Sequence, residues 1–274
     1  MELFRVNEAK CRKDGICASV CPVRIIKGEP GAVPVMDEAL RNRCIACGHC
    51  MAFCPVNACS APGLSSEDAR FLRAERYPSP EQVEELVFSR RTIRNFTGAR
   101  VPREALTAVL DAARYAPTGN NRQSVRWIVL DSPEAIREFL ERIIAWLSAL
   151  PDTDRPLAER VHAAGVVKAW GRGTDILTRN APAIVIAAAP NAYLEWVDAF
   201  VALTYVEILA HSRGLGCCWS GYMTQAFRHP SAGPVREYLG LLPEEVAFSA
   251  QIVGYPRFRA VSRPPRKPLR VDWK

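Results

Sequence analysis

The sequence predicts an α+β domain, several helices around a modest sheet, preceded by a small cysteine-rich module. Eight of the ten cysteines lie between Cys11 and Cys59. Beyond about residue 81, short apolar runs alternate with longer amphipathic stretches. Between the two regions, residues 61–80 (APGLSSEDARFLRAERYPSP) carry prolines near both ends and read as a linker. The expected organisation is therefore a cysteine-rich domain over 1–60, a linker over 61–80 and the α+β domain over 81–274.

Residues 1–60 are too few for an independent apolar core, so something other than hydrophobic burial must hold them, and bound metal does this. Clustered cysteines in a chain without secretory features bind metal more often than they form disulfides. The stretch Cys44-Ile-Ala-Cys47-Gly-His-Cys50-Met-Ala-Phe-Cys54-Pro55 fits C-x2-C-x2-C-x3-C-P without deviation. That is the spacing of a [4Fe–4S] run whose fourth cysteine ligates the other cluster. A zinc site would instead set two C-x2-C pairs well apart. Cys11-Arg-Lys-Asp14-Gly-Ile-Cys17-Ala-Ser-Val-Cys21-Pro22 repeats the spacing, with Asp14 where the second cysteine belongs. The two motifs together resemble two-cluster bacterial ferredoxins. Crossing the fourth ligands, as that resemblance implies, assigns Cys44, Cys47, Cys50 and Cys21 to one cluster. Cys11, Cys17 and Cys54 go to the other, with Asp14 at its fourth corner. Three readings of that corner stand open. Asp14 ligates iron through oxygen; or the corner is labile and a [3Fe–4S] form appears; or the loop brings in Cys59. His49, between two ligands, is expected as an exposed loop residue rather than a ligand.

In the second region, EQVEELVFSR (81–90) looks helical. Pro102 opens a helix at PREALTAVLDAARYA, because proline suits a first turn and Leu106, Val109, Leu110 and Ala113 fall on one face. VRWIVL (125–130) reads as a buried strand, and residues 133–149 and 157–179 read as helices. PAIVIAA (182–188) is an apolar run bounded by prolines, hence a strand. Residues 194–213 form a long helix that stops at Gly214, a residue that tolerates the left-handed cap. VAFSAQIVG (246–254) is a third strand. The closing RPPRKPLRVDWK is proline-rich and basic and predicts an extended arm. Cys217 and Cys218 are adjacent, which disfavours an ordinary disulfide, and they read as small packing residues.

The chain carries 36 basic against 29 acidic residues, a formal charge of +7. Such an excess suits a solvated surface or a phosphorylated cofactor. No helix-turn-helix, zinc-finger or RNA-binding signature accompanies it, so no nucleic-acid partner is expected. No run of about 18 apolar residues occurs, and MELFRVNEAK has no apolar signal region. The expected location is the cytoplasm, without a membrane partner.

Four segments of the second region form an ordered set. Residues 90–96 read Arg-Arg-Thr-Ile-Arg-Asn-Phe, and 116–127 read Ala-Pro-Thr-Gly-Asn-Asn-Arg-Gln-Ser-Val-Arg-Trp. Residues 214–221 read Gly-Leu-Gly-Cys-Cys-Trp-Ser-Gly, and 254–256 read Gly-Tyr-Pro. In this order they resemble the nitroreductase family of FMN-dependent oxidoreductases, over about residues 81–274. The resemblance implies helices around a central, mostly antiparallel sheet and a homodimer with FMN at its interface, the helix 194–213 being a central dimer element. It places Arg90 and Arg91 on the phosphate and ribityl side with Thr92 nearby, and Arg94 at N1 and O2 of the flavin, tuning it. Arginine suits such contacts because its planar fork pairs two oxygens at once. The turn Pro117-Thr118-Gly119, with Asn121 and Gln123, matches a loop that reaches the flavin from the partner subunit. The family's usual Pro-Trp after that Gln is replaced here by Ser124-Val125, with a Trp at 127, which puts the substrate side in doubt. Trp219, Ser220 and Gly221 match a segment whose backbone amides approach the ring, and Arg263 matches a basic residue that closes on the phosphate. The expected function is a relay: an external donor, a ferredoxin-like carrier or NAD(P)H, feeds the clusters, the clusters feed FMN, and an organic acceptor is reduced. The family's acceptors are nitro groups, quinones and activated double bonds. No catalytic side chain is identified beyond the flavin's own N5. An electron-transfer subunit or a redox sensor without small-molecule turnover is the alternative, and dehalogenation or flavin fragmentation would need lid residues that no segment supplies.

Overall fold

Short hairpins and thiols, rather than a large apolar core, organise the first of two units in the computed structural model, which describes residues 4–274. This unit ends at Tyr77 and also includes Asn120–Arg122. Its elements are β1 (Arg5–Val6), α1 (Ile16–Ser19), β2 (Ile26–Lys27), β3 (Val35–Met36), α2 (His49–Ala52) and β4 (Cys59–Ser60). β1 pairs antiparallel with β4, with Val6 opposite Cys59, and β2 with β3, with Ile26 opposite Met36. Strands this short are not stable alone.

The two cysteine motifs fold as a repeat. α1 follows Gly15 at φ 74 and α2 follows Gly48 at φ 71. The residues two places earlier, Lys13 and Ala46, are also left-handed, at φ 54 and 48. So are Arg24 and Asn57, three places after Cys21 and Cys54, at φ 53 and 49. Side chains rarely adopt this region, so its recurrence at matched offsets marks two copies of one chain path. The buried centre consists of Cys17, Cys21, Cys50 and Cys59 with Ile25, Ile26 and Ala61. The segment predicted as a linker thus begins inside this centre at Ala61. Its last residue, Pro80, opens a helix of the other unit.

That second unit is built from α3 (Pro80–Ser89), α4 (Arg103–Ala113), β5 (Arg126–Leu130), α5 (Pro133–Thr153), α6 (Arg155–Arg160), α7 (Ala163–Gly171), β6 (Ala183–Pro190), α8 (Glu195–Ser212), β7 (Gly216–Trp219), α9 (Gly221–Arg228), α10 (Gly233–Tyr238) and β8 (Glu245–Gly254). The four strands lie in the order β5-β6-β8-β7, and every pair is antiparallel. β6 is apolar without alternation because both its faces are covered. Ile184 and Ile186 pack with Phe139, Ile143 and Leu147 of α5. Ala183 and Val185, on the opposite face, pack with Val109 of α4 and Val206 and Ala210 of α8. α3 begins with a capping box, in which Ser79 and Gln82 satisfy each other's backbone N–H.

Three expectations change. The helix expected over 157–179 is divided: His162 takes φ 52, and the chain leaves helix at Gly171, followed by Gly173 at φ 78. From there Asp175 holds a turn, accepting from the N–H groups of Thr178 at 2.8 Å and Asn180 at 3.1 Å. The helix expected to end near residue 149 continues to Thr153 with Pro151 in its last turn. A fourth strand, β7, is too short to show an alternating pattern, and the short helices α9 and α10 were not foreseen. Residues 259–274 carry no regular structure and are exposed.

Arg126 at the start of β5 grips Glu245 at the start of β8 through Nε at 2.9 Å and Nη2 at 2.5 Å, and Leu242 N donates to the same carboxylate at 3.0 Å. The Glu245 side chain is 6% exposed against 41% for Arg126. The guanidinium holds the Glu245 carboxyl below its ordinary range. A carboxyl depressed by folding stabilises the fold above its unfolded value and loses that contribution as the pH falls through the folded one. Arg126→Ala leaves Glu245 covered without its cation, at a cost of about 1–2 kcal/mol near neutral pH, limited because the arginine is solvated. Urea melts at pH 7 and pH 3 check this: the wild type and the variant should differ at pH 7 and converge at pH 3.

Candidate functional site

Cys21, Cys44, Cys47 and Cys50 ring one small cavity of the first unit, closed by Phe4, Ile25, Ile26 and Ala61. Cys11, Asp14, Cys17, Cys54 and Cys59 ring a second, beside Pro34. The left-handed glycine at the head of each short helix lets the cysteines turn inward. Backbone N–H groups already point at sulfur: Lys13 N donates to Cys11 Sγ at 3.4 Å and Ala58 N to Cys54 Sγ at 3.2 Å. Such bonds stabilise cluster thiolates and tune their potential. Among the described residues no three His, Cys, Asp or Glu side chains converge on a single-ion site; the thiols surround cavities, as a cluster of several irons requires. Burial pushes the Cys50 thiol up to about 12, with Cys47, Cys17 and Cys44 adding to the effect. Burial likewise pushes Cys59 and Cys17 upward. Iron reverses that balance, since sulfur binds it as thiolate and the proton leaves. The donor set therefore fits iron–sulfur clusters. Asp14 lies at the rim, its Oδ1 accepting from Ile16 N at 3.1 Å. His49 is exposed on α2 with its ring 5.7 Å from that of Phe53.

In the second unit the segment around Thr92 lies along β7. Thr92 bridges to Cys217, and Ile93 N donates to Cys217 O at 2.9 Å. Gly216 permits this approach: a Cβ there would stand 2.5 Å from Ile93 Cγ1. The segment delivers Arg94 to an open hollow shared with Arg160, Arg179, Ser220, Gly221 and Tyr222. Three guanidinium groups and the first turn of α9, whose N–H groups lack helical partners, make this hollow receptive to anions. Ser220 is itself buried; its N donates to Ala250 O at 2.9 Å and its Oγ accepts from Met223 N at 3.4 Å. Trp219 lines the same hollow, stacks on Phe200 with ring centroids 5.2 Å apart, and donates from Nε1 to Ser249 Oγ. Cys217 and Cys218 pack into opposite faces of the sheet. Burial pushes the Cys218 thiol up, opposed by Arg94 and Arg179.

The other residues singled out in the sequence lie elsewhere. Arg90 Nη1 pairs with Glu207 Oε1 of α8 at 2.7 Å. Arg91 is half-buried and Thr92 exposed, and neither lines the arginine hollow. Arg263 sits over the ring of Phe88, 3.4 Å from its centroid. In the turn after Pro117, Gly119 N donates to Asp198 Oδ1 at 2.9 Å and Gln123 N to Thr118 Oγ1 at 3.1 Å. Thr118 and Gln123 line a separate hollow with Trp127 and Ala202. Beside this turn Asp198 Oδ2 and Ser124 Oγ are buried without a partner. Asn121 belongs to the first unit, where its Nδ2 donates to the carbonyls of Ile45 at 3.2 Å and Ala46 at 2.9 Å. Sequence reasoning missed Arg160 and Arg179. Both fell within the helix expected over 157–179; Arg160 ends α6, and for Arg179 only Gly171 and Gly173 hint that it lies outside a helix.

Residues 87–255 match the sequence profile of the Nitroreductase family, and residues 4–27 that of a 4Fe-4S binding domain. A relative from Archaeoglobus fulgidus, provisionally named an NADH dehydrogenase/NAD(P)H nitroreductase, is 25% identical over 182 residues, 65% of this chain and 87% of its own. A relative of the same name from Methanothermobacter thermautotrophicus is 26% identical over 183 residues, 65% of this chain and 79% of its own. The fold is shared with a nitroreductase with bound FMN from Bacteroides fragilis, at a TM-score of 0.56 and 23% identity over 68% of this chain and 95% of that one.

Gly216→Ala tests the strand approach that places Arg94. The overlap with Ile93 should cost about 1–3 kcal/mol, read as a lower urea midpoint. An unchanged midpoint would show that Ile93 moves aside freely.

Proposed function

The chain belongs to the nitroreductase family, and on that premise we propose that it passes electrons from an external donor through two iron–sulfur clusters to FMN and on to an organic acceptor. The acceptor is a nitro compound, a quinone or an activated double bond, and the donor a ferredoxin-like carrier or NAD(P)H. The observation that carries the reading is the presence, on one chain, of two thiol-ringed cavities and an arginine-lined hollow on a nitroreductase fold. Bound clusters take up and release single electrons, and bound FMN exchanges one or two, so together they join a one-electron donor to a two-electron reduction.

The chain's own residues supply positions and charge. Cys21, Cys44, Cys47 and Cys50 hold one cluster; Cys11, Cys17 and Cys54 hold three corners of the other. Arg94, Arg160 and Arg179 offer bidentate donors to a phosphate or to the anionic edge of a flavin, and a cation at that edge favours the reduced form. Ser220 and Gly221 line the same hollow, the amide of Ser220 being held by Ala250 O. The turn bearing Thr118 and Gln123 lines a different hollow of the same chain, which supports a homodimer in which a second copy completes each site. No helix among the described residues is long and apolar enough to cross a membrane; the location proposed is the cytoplasm.

Anaerobic purification followed by iron, acid-labile sulfide and FMN determination tests the proposal. The expected result is about eight irons and one FMN per chain, with nitro-compound turnover when a reduced carrier is added. Clusters without FMN, or FMN without iron, would overturn the relay. Full cofactor content without turnover of any nitro compound, quinone or activated alkene would leave an electron-transfer subunit. Arg94→Ala should weaken FMN binding about tenfold or more, since charged hydrogen bonds to such groups contribute roughly 1.5–3 kcal/mol; fluorescence titration of the flavin measures it.

A further inference from the structure

We propose that Cys59, which lies outside both cysteine motifs, is the fourth ligand of the cluster held by Cys11, Cys17 and Cys54, and that Asp14 is a turn-forming residue rather than a ligand. The inference rests on the iron–sulfur reading above and assigns the corner that the first motif leaves without a cysteine.

Placement is the first argument. Cys59 lines the same cavity as Cys11, Cys17 and Cys54 and is 2% exposed. The backbone holds it there: β4 pairs Cys59 with Val6, and the preceding Ala58 N donates to Cys54 Sγ at 3.2 Å.

The repeat supplies an independent argument. Cys21-Pro-Val-Arg24-Ile25-Ile26 matches Cys54-Pro-Val-Asn57-Ala58-Cys59 position by position, and Arg24 and Asn57 share the left-handed conformation. Cys59 therefore occupies the place that Ile26 has in the other half. Ile26 lines the cavity of Cys21, Cys44, Cys47 and Cys50, so this place faces the cavity in both halves. Where the motif has all its cysteines, the place holds an apolar side chain. Where Asp14 replaces the second cysteine, it holds a thiol. The missing sulfur and the additional sulfur fall in one cavity.

Asp14 lines the same cavity, but its side chain is exposed and its Oδ1 accepts from Ile16 N at 3.1 Å, the local turn bond that Asp forms with the residue two places on. Iron in a sulfide cluster prefers soft thiolate to hard carboxylate. Ligation by Cys59 forms one Fe–S bond and releases one thiol proton to solvent, and no electron changes hands.

The test uses the full chain purified without oxygen, with iron and sulfide content and paramagnetic resonance spectra of the isolated and reduced forms. Asp14→Ala should keep the wild-type content of about eight irons per chain. Cys59→Ala should lose about one of them and show the signal of an oxidised three-iron cluster. Full iron and no such signal in Cys59→Ala would overturn the assignment, as would loss of iron in Asp14→Ala. Mössbauer spectra of the iron-57-enriched wild type give a second measurement that needs no variant. An all-sulfur cube is expected, and a distinct oxygen-ligated iron would overturn the proposal. A wild-type chain that holds no iron would instead remove the underlying iron–sulfur reading.

Discussion

The strand Ala183–Pro190 is covered on both faces, and the larger unit is arranged around that constraint. A strand with no solvated side must be apolar throughout and must find a complete set of backbone partners. It pairs along its length with β8 on one side and β5 on the other. α5 then covers one face, and α4 and α8 cover the other. β8 passes the order on to β7, whose outer edge receives the segment carrying Arg94. The anion-receptive hollow forms where this edge of the sheet, the start of α9 and the residues around Arg160 and Arg179 come together.

The smaller unit works on the opposite basis. Its strands are two residues long and its α-helices four, so neither hydrogen-bonded ladders nor helix propagation can hold it. Sulfur occupies the places where an ordinary domain has leucine or valine, with Cys17, Cys21, Cys50 and Cys59 at the buried centre. Buried thiols crowd one another only while they stay neutral, as their raised pKa values show. Thiolate ligation to metal would turn that same arrangement to use, since bound metal supplies the stability that so small a core lacks.

Charge placement separates the arginines that pair internally from those that line the hollow. Arg90 and Arg126 each face a carboxylate that is largely removed from water, Glu207 and Glu245. Such pairs tie elements together and leave little charge for a ligand. Arg94, Arg160 and Arg179 instead lie exposed around one hollow. Solvated guanidinium groups without a fixed carboxylate are the ones available to an anion. The three arginines of segment 90–94 look equivalent in sequence; which one pairs internally is decided by α8, more than a hundred residues away.

The sequence by itself determined the local matters. The spacing of Cys44, Cys47 and Cys50 depends only on how one short loop closes around one cavity. The apolar runs at 125–130, 182–188 and 246–254 each mark a strand within a few residues, although the first is only half-buried apart from Leu130, and Pro102, Pro133 and Gly214 mark helix boundaries by their own backbone limits. Only the tertiary structure decided what depends on distant neighbours. β7 is four residues long and becomes a strand because β8 lies beside it. The helix expected over 157–179 breaks where Gly171 and Gly173 offer no hold and Asp175 captures the next turn. Arg160 and Arg179 come together only after that break. Cys59, a lone cysteine in sequence, meets Cys11, Cys17 and Cys54 because pairing with Val6 closes the ends of the first unit. Periodicity and spacing report contacts within a turn or a loop, whereas these juxtapositions rest on contacts between segments that the chain brings together only on folding.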